Sequence, residues 1–498
     1  MEREFSFRTR RKSLNEAADR ELDLVVMGGG ITGAGIAWDA ASRGMDTAVL
    51  ERGDFAHATS SKTSKMIHGG LRYLRNLQVS MVRESLRERH LLLTNASELV
   101  SWLPIVIPIY SLWDSMKFRL GLSLYDVLAR EPERQHRSLS EEEIRTAFPF
   151  LTEESLRGGL QYWDGLMDDS RLCLTVMVSA ALHGALVANY AEVTDFITSN
   201  GRVSGVRVRD RIGGGELTVR ARKIVNATGP WTERLRERDG SPIPLRLRPN
   251  RGAHLIFSKE RLPATSALAI PLPEGRLLFV IPWKGRVVLG TTESPFAGDL
   301  DCVAAQAGEV DFLLGLAGKF FPKAELERKD ILASFAGVRP LVDSGKASLS
   351  RVSREHKIVV SAPGLVSVAG GKFTTFRRMA EVVVDRIAKE FQKEGRRFGP
   401  CRTGELRLDG VLPPSPGTIP SAEEIRQSVQ RAMTMTLSDL LVRRAKTALL
   451  AEGQGWGEAE ESSRILAAEL GWNEAERLKQ LSEYRRELSE CFKRGAIL

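Results

Sequence analysis

A chain of 498 residues is long enough for two or three domains and a large buried core. With 42% hydrophobic and 27% charged residues it has the balance of a globular protein, which excludes disordered and fibrous classes. A net charge of +9 favours anionic partners such as phosphorylated substrates or anionic lipid, while the lack of zinc-type spacing and of interleaved aromatic and basic residues argues against nucleic acid.

The first 20 residues carry Arg3, Arg8, Arg10, Arg11, Lys12 and Arg20 and no apolar segment. They read as a mobile, solvated basic tail, not as a signal peptide. Residues 22–27 are an apolar run ending at Gly28. Gly28, Gly30 and Gly33 then form G-x-G-x-x-G, residues 34–42 are helix-like, and a second apolar run, residues 47–50, ends in Glu51. This is one β-α-β unit with each chemical part in place. Gly28 allows the tight turn, Gly30 lets backbone approach a pyrophosphate, and Gly33 lets helix and sheet pack closely. The helix start offers free N–H groups to phosphate. Glu51, 18 residues beyond Gly33, is placed to hold a ribose hydroxyl and disfavours a 2′-phosphate. The unit predicts an adenine dinucleotide and leaves NAD and FAD as alternatives.

Residues 58–65 pack hydroxyls and two lysines into eight positions, and Ile67-His-Gly-Gly-Leu-Arg-Tyr73 follows. Coming directly after Glu51, the loop is expected beside the cofactor. Its small donors can line a diphosphate, and Gly69 and Gly70 can let a flat ring approach backbone. Residues 82–93 have helical periodicity. Residues 102–112 alternate with prolines and predict an edge strand. The stretch 99–113, the most apolar in the chain, is too short to span a bilayer and is broken by Pro104 and Pro108, so any membrane contact is expected to be peripheral. Ser140 and Glu143 predict a helix start, and Asp169 is expected to cap a helix over 172–182. Strands are expected at 186–193, 202–209 and 217–219, with a further strand, 223–229, returning to the first sheet. Residues 243–352 read as a β-rich region with at least one helix. Residues 365–372 form a strand into a glycine turn before a helix at 374–391, a second helix start able to face an anion. Residues 396–420 read as a linker and 421–498 as helical. Cys173, Cys302, Cys401 and Cys491 form no C-x-x-C, fit a reducing cytosol, and suggest neither a metal site nor a disulfide framework.

The segment Ser60–Leu74, SSKTSKMIHGGLRYL, resembles the FAD-dependent glycerol-3-phosphate dehydrogenases of the D-amino-acid-oxidase-like flavoprotein superfamily. So do Val225-Asn-Ala-Thr-Gly-Pro-Trp231, Arg251-Gly-Ala-His254, Ser334-Phe-Ala-Gly-Val-Arg-Pro-Leu341 and Gly370-Gly-Lys-Phe-Thr-Thr-Phe-Arg377, in the family's order, and Thr436–Arg444 resembles its C-terminal helical domain. The resemblance implies an α/β fold: a Rossmann-like FAD-binding domain over 21–395, an interleaved β-rich substrate domain at roughly 76–185 and 243–352, and a helical domain at 421–498.

It further implies noncovalent FAD held by Gly28, Gly30, Gly33, Glu51, Arg52, Thr59, Ser60, Ser61, Ser64, Lys65, His68, Gly69, Gly70, Ala227, Gly229, Gly371, Lys372 and Thr374. Arg339 and Arg354 are expected to hold a phosphate, Arg72 and Tyr73 to face the flavin's substrate side, and Lys372 to sit near the reacting carbon. His254 reads either as a core histidine or as a substrate contact, and His254 and Lys372 are alternative bases. The implied reaction is oxidation of sn-glycerol 3-phosphate to dihydroxyacetone phosphate, with hydride passing from C2 to flavin N5 and electrons onward to a membrane quinone. An oxygen-using oxidase, a flavin oxidase of amino or 2-hydroxy acids, and a non-catalytic flavin scaffold are the competing readings. The expected setting is the cytoplasm, bound peripherally to the cytoplasmic membrane through anionic lipid, with a homodimer left open. Glu293 and Phe376 depart from the family's usual Asp and Tyr.

Overall fold

The computed structural model describes residues 4–239, 246–343, 356–408, 414–415, 417 and 419–494. The fold is α/β, as expected. Among the described residues there are two sheets, one of eight strands and one of ten, with a helical C-terminal region.

The first sheet is built on Glu21–Met27. Its apolar residues pair in parallel with Thr47–Leu50 on one side and with Glu216–Asn226 on the other, and the latter pairs in parallel with Val366–Gly370. Strands so enclosed are buried on both faces, which explains their near-continuous apolar runs. Glu216–Asn226 is one unbroken strand, so the two strands expected there merge. Helix Ile31–Ser42 covers this sheet and packs against helices Asp169–Leu182 and Phe376–Lys393. Its approach depends on small residues: a Cβ on Gly35 would meet the Phe376 ring at 2.8 Å.

The second sheet runs from Ser294–Pro295 through Leu247–Ser258 to Gly159–Met167 and Met66–Ile67. Leu247–Ser258 pairs along its length with Ala333–Val342, placing Asn250 opposite Arg339 and His254 opposite Phe335. This register brings the Arg251–His254 and Ser334–Leu341 motifs together.

Three expectations are corrected. The basic N-terminus is not a solvated tail: Phe7–Asp19 is a helix with a Ser6/Thr9 capping box and Arg10, Leu14 and Ala17 buried. Arg10 donates to Asn189 O at 2.7 Å and pairs with Asp210 at 2.6 Å, so a charge that the sequence shows alone is neutralised from a distant strand. The proline-bearing strand, Val100–Pro108, is internal, lying between Gly159–Met167 and Ala267–Pro271. Its second neighbour pairs only at Ile105 and Val106, between the two prolines, so the missing N–H groups cost no bond. The helix at 169–182 is capped by Asp168, whose carboxylate accepts from Arg171 N, while Asp169 lies one residue inside. The Ser140/Glu143 capping box forms as expected. Part of the expected 396–420 linker is packed, with Thr403 and Leu408 buried.

The helical C-terminal region is fastened by buried charge. Asp54, just past the first β-α-β unit, accepts from Arg443 Nε at 2.5 Å and from Arg444 Nη2 at 2.9 Å. The two guanidiniums outweigh the burial penalty and hold the Asp54 carboxyl down to about 2.

Candidate active site

A cavity of about 520 Å³ opens at the carboxyl ends of the parallel strands, where ligands of open α/β sheets bind, and continues onto the second sheet. Gly28 begins it at φ +107°, and a Cβ there would lie 2.7 Å from Ala227 O. A Cβ on Gly33 would come 1.9 Å from Gly28 O, so helix and turn close only on glycine. The Ile31 N–H donates to Ser60 Oγ at 3.0 Å, which draws the hydroxyl loop over the helix N-terminus. Buried Glu51 accepts from Gly29 N at 2.6 Å and Gly53 N at 2.7 Å. It thus braces the glycine turn and still lines the cavity. Arg52 lies 4.8 Å over the Trp231 ring and pairs with Asp301.

Toward the second sheet, His68 N donates to Thr374 Oγ1 at 3.2 Å, joining the two glycine-turn segments. Lys372 Nζ stands 3.9 Å over the Tyr73 ring and donates to Ser85 Oγ at 3.1 Å. Arg72 pairs with Glu293 at 3.3 Å. Arg339 donates to Asn250 Oδ1 at 2.8 Å and Thr291 Oγ1 at 3.1 Å, which orients its planar fork. His254 is buried, stacked 4.8 Å from the Phe335 ring, with Nε2 2.8 Å from Ser64 Oγ. Burial, then the charges of Arg339 and Lys65, push its pKa well below the ordinary histidine value, so the ring is neutral.

Of the residues singled out in the sequence, Gly28, Gly30, Glu51, Arg52, Thr59, Ser60, Ser64, His68, Gly70, Arg72, Tyr73, Ala227, Gly229, His254, Arg339, Gly371, Lys372 and Thr374 line this cavity. Arg354 lies outside the described residues. Gly33, Ser61, Lys65 and Gly69 sit behind the wall. Lys65 is the clearest correction: instead of facing the cavity it makes a buried ion pair with Asp169 at 2.8 Å and donates to Ser61 O at 2.7 Å. A buried ammonium needs a partner, and Asp169 supplies it. Gly69 N donates to Tyr125 Oη at 3.0 Å and to Asp164 Oδ1 at 3.1 Å. Sequence reading missed Asn250, Thr291 and Asp164. Asn250 directly precedes a recognised motif, but its role follows from cross-strand register, which no local pattern carries.

A glycine turn into a helix N-terminus, an acid after the second strand and a cleft at the strand ends define a dinucleotide-binding α/β protein. A model of the FAD dependent oxidoreductase family matches residues 23–386. The chain is 37% identical over 414 residues to the aerobic glycerol-3-phosphate dehydrogenase of Bacillus subtilis, covering 82% of this chain and 75% of that one. It is also 37% identical to the human mitochondrial glycerol-3-phosphate dehydrogenase, over 78% of this chain and 55% of that longer protein. The glycerol-3-phosphate dehydrogenase of Bacillus halodurans, solved with FAD, superposes with a TM-score of 0.80 at 29% identity over 98% of both chains. The chain belongs to the FAD-dependent oxidoreductase family, in its glycerol-3-phosphate dehydrogenase branch.

Proposed function

We propose that the protein binds FAD noncovalently and oxidises sn-glycerol 3-phosphate to dihydroxyacetone phosphate. The observation that carries this reading is one continuous cavity with a pyrophosphate-type glycine turn at one end and an oriented arginine at the other. The residues fit FAD: side chains at Gly28 and Gly33 would collide with backbone, and Glu51, which lines the cavity at the end of the second strand, would meet a ribose hydroxyl. Gly28, Gly30, Ser60, Glu51 and the 227–229 turn would hold it. Bound FAD would supply the two-electron acceptor, taking the hydride of C2 at N5.

Arg339, fixed by Asn250 and Thr291, binds the substrate phosphate as a fork. The second sheet is then the substrate-binding part of the chain. Lys372 and Arg72 bring positive charge to the cavity wall beside Tyr73 and stabilise negative charge developing on the C2 oxygen. His254 is the base. A lysine ammonium has no acceptor until it loses a proton. The neutral imidazole has one, and Ser64 Oγ, bonded to Nε2 and lining the cavity, relays the hydroxyl proton to it.

The electron acceptor in this reading is a membrane quinone, reached by peripheral docking on anionic lipid of the cytoplasmic membrane. Helix Leu112–Ala129 exposes Trp113, Met116, Leu120, Leu124 and Val127 at helical spacing, with Trp113 81% exposed. It buries Leu122 and Tyr125. It packs beside Leu71–Asn76, the segment that brings Arg72 and Tyr73 to the cavity. Lys117, Arg119 and Arg130 add positive charge along or just past the same helix. An amphipathic helix of this kind lies in a membrane interface. Among the described residues no helix is long and apolar enough to cross a membrane. The test is turnover of FAD-loaded protein with a soluble quinone. sn-Glycerol 3-phosphate should yield dihydroxyacetone phosphate and reduced quinone, whereas hydrogen peroxide as the main product would make it an oxidase.

A further inference from the structure

Cys302 and Cys491 lie 189 positions apart in sequence, yet their Sγ atoms are 3.9 Å apart. Cys302 is exposed, in the connection between strand Ser294–Pro295 and helix Ala307–Phe320, and Cys491 is the buried last residue of helix Glu474–Cys491. The other two cysteines are placed differently. Cys173 is buried 3.7 Å from Gly29 O, and Cys401 contacts Thr403 at 3.2 Å.

We propose that Cys302 and Cys491 form a redox modification site that closes to a disulfide on meeting a low-molecular-weight disulfide. The Cys302 thiolate attacks one sulfur of the small disulfide, forming a mixed disulfide and releasing one small thiolate. Cys491 then gives up its proton, and its sulfur attacks the Cys302 sulfur and displaces the second small thiolate. The protein loses two electrons and two protons, and the small disulfide leaves as two thiols. The order follows from the structure. Cys302 is open to solvent, while burial pushes the Cys491 thiol up to about 12, so it resolves and does not attack first. The Lys62 ammonium, 5.3 Å from the Phe492 ring, favours the Cys491 thiolate as it forms. A disulfide needs the sulfurs about 2 Å closer, a movement that rotation of Cys302 in its exposed connection can provide.

The bridge would fasten a connection that reaches the cavity to a C-terminal segment bonded to the strand that carries Arg339. Asp301, beside Cys302, lines the cavity and pairs with Arg52. Beyond Cys491, Lys493 O accepts from Ser334 N and Oγ, each at 2.9 Å, on the strand that carries Arg339.

The probe is glutathione disulfide, added to the FAD-loaded full chain. Alkylation should then count two free thiols instead of four, and a non-reducing peptide map should join the 302 and 491 peptides at a mass lower by two hydrogens. The Cys491→Ser variant should stop at glutathione on Cys302, and Cys302→Ser should keep its remaining three thiols. The bridged form should melt about 5 °C higher, from the closure of so long a loop. Retention of four thiols, a stable glutathione adduct on Cys302 of the unmutated protein, or a different cysteine pair would overturn the site. Equal melting temperatures for the bridged and reduced forms would overturn the fastening.

Discussion

Ser64 Oγ lies 2.8 Å from Nε2 of His254, a contact that joins the loop after the dinucleotide unit to the second sheet. Through it, a hydroxyl on the cavity wall is coupled to a mostly buried imidazole that lines the same cavity. Ser64→Ala should therefore lower kcat by about 100-fold, in the range of a lost proton relay, with FAD content intact. Retained kcat would show that the proton leaves by another route.

His254 also predicts a pH response. Its folded pKa is depressed well below the ordinary histidine value, so the unfolded chain binds more protons in the acid range. The stabilising contribution is complete above about pH 6.5 and is lost as pH falls from there toward the folded value. Urea unfolding between pH 7 and 5 should show stability falling with pH, and His254→Phe should remove part of that slope. An unchanged slope in the variant would mean that His254 is not held neutral.

Asp54 is predicted to be the main fastener of the helical C-terminal region. Asp54→Asn leaves buried Arg444 without its countercharge and Arg443 with only Asp439 and Glu487, and should cost about 3–5 kcal/mol. Because its folded pKa is lowered to about 2, this contribution is present above pH 3.8 and is lost as pH falls toward 2. Thermal melting of the variant is the measurement, and a loss under 1 kcal/mol would assign the docking to apolar contacts.

The exposed face of helix Leu112–Ala129 gives the membrane prediction. Trp113→Glu with Leu120→Glu removes two large apolar side chains from the contact and should weaken binding to anionic vesicles at least ~10-fold. Reduction of bound flavin by substrate should be unchanged. Equal vesicle binding would place the lipid surface elsewhere.

The parts of this site that sit close together in sequence were legible. Gly28, Gly30, Gly33 and Glu51 announce their geometry because one turn and one helix fix their spacing. Arg339 and Lys372 were found through motif resemblance. What the sequence hid were partners supplied from far away. Lys65 looked like a phosphate donor because its motif adjoins the cofactor loop, but Asp169, 104 residues on, claims its ammonium. Arg10 looked solvated because its partner Asp210 is 200 residues away. Asn250 and Thr291 contact Arg339 only through sheet register, and the exposed face of the 112–129 helix became visible only once its neighbours showed which side was covered.

The most direct test of the central claim is an anaerobic titration of the FAD-loaded protein with sn-glycerol 3-phosphate, followed by flavin absorbance and run in parallel on Arg339→Ala. The unmutated protein should bleach with one equivalent of dihydroxyacetone phosphate formed per flavin. The variant should keep its flavin but lose roughly 10- to 100-fold in kcat/KM, the worth of a charge-assisted hydrogen bond of about 1.5–3 kcal/mol. Arg339→Lys should recover only part of this, since a point charge does not replace a fork. Flavin that stays oxidised in the unmutated protein, or a variant that bleaches equally well at low substrate, would contradict the account.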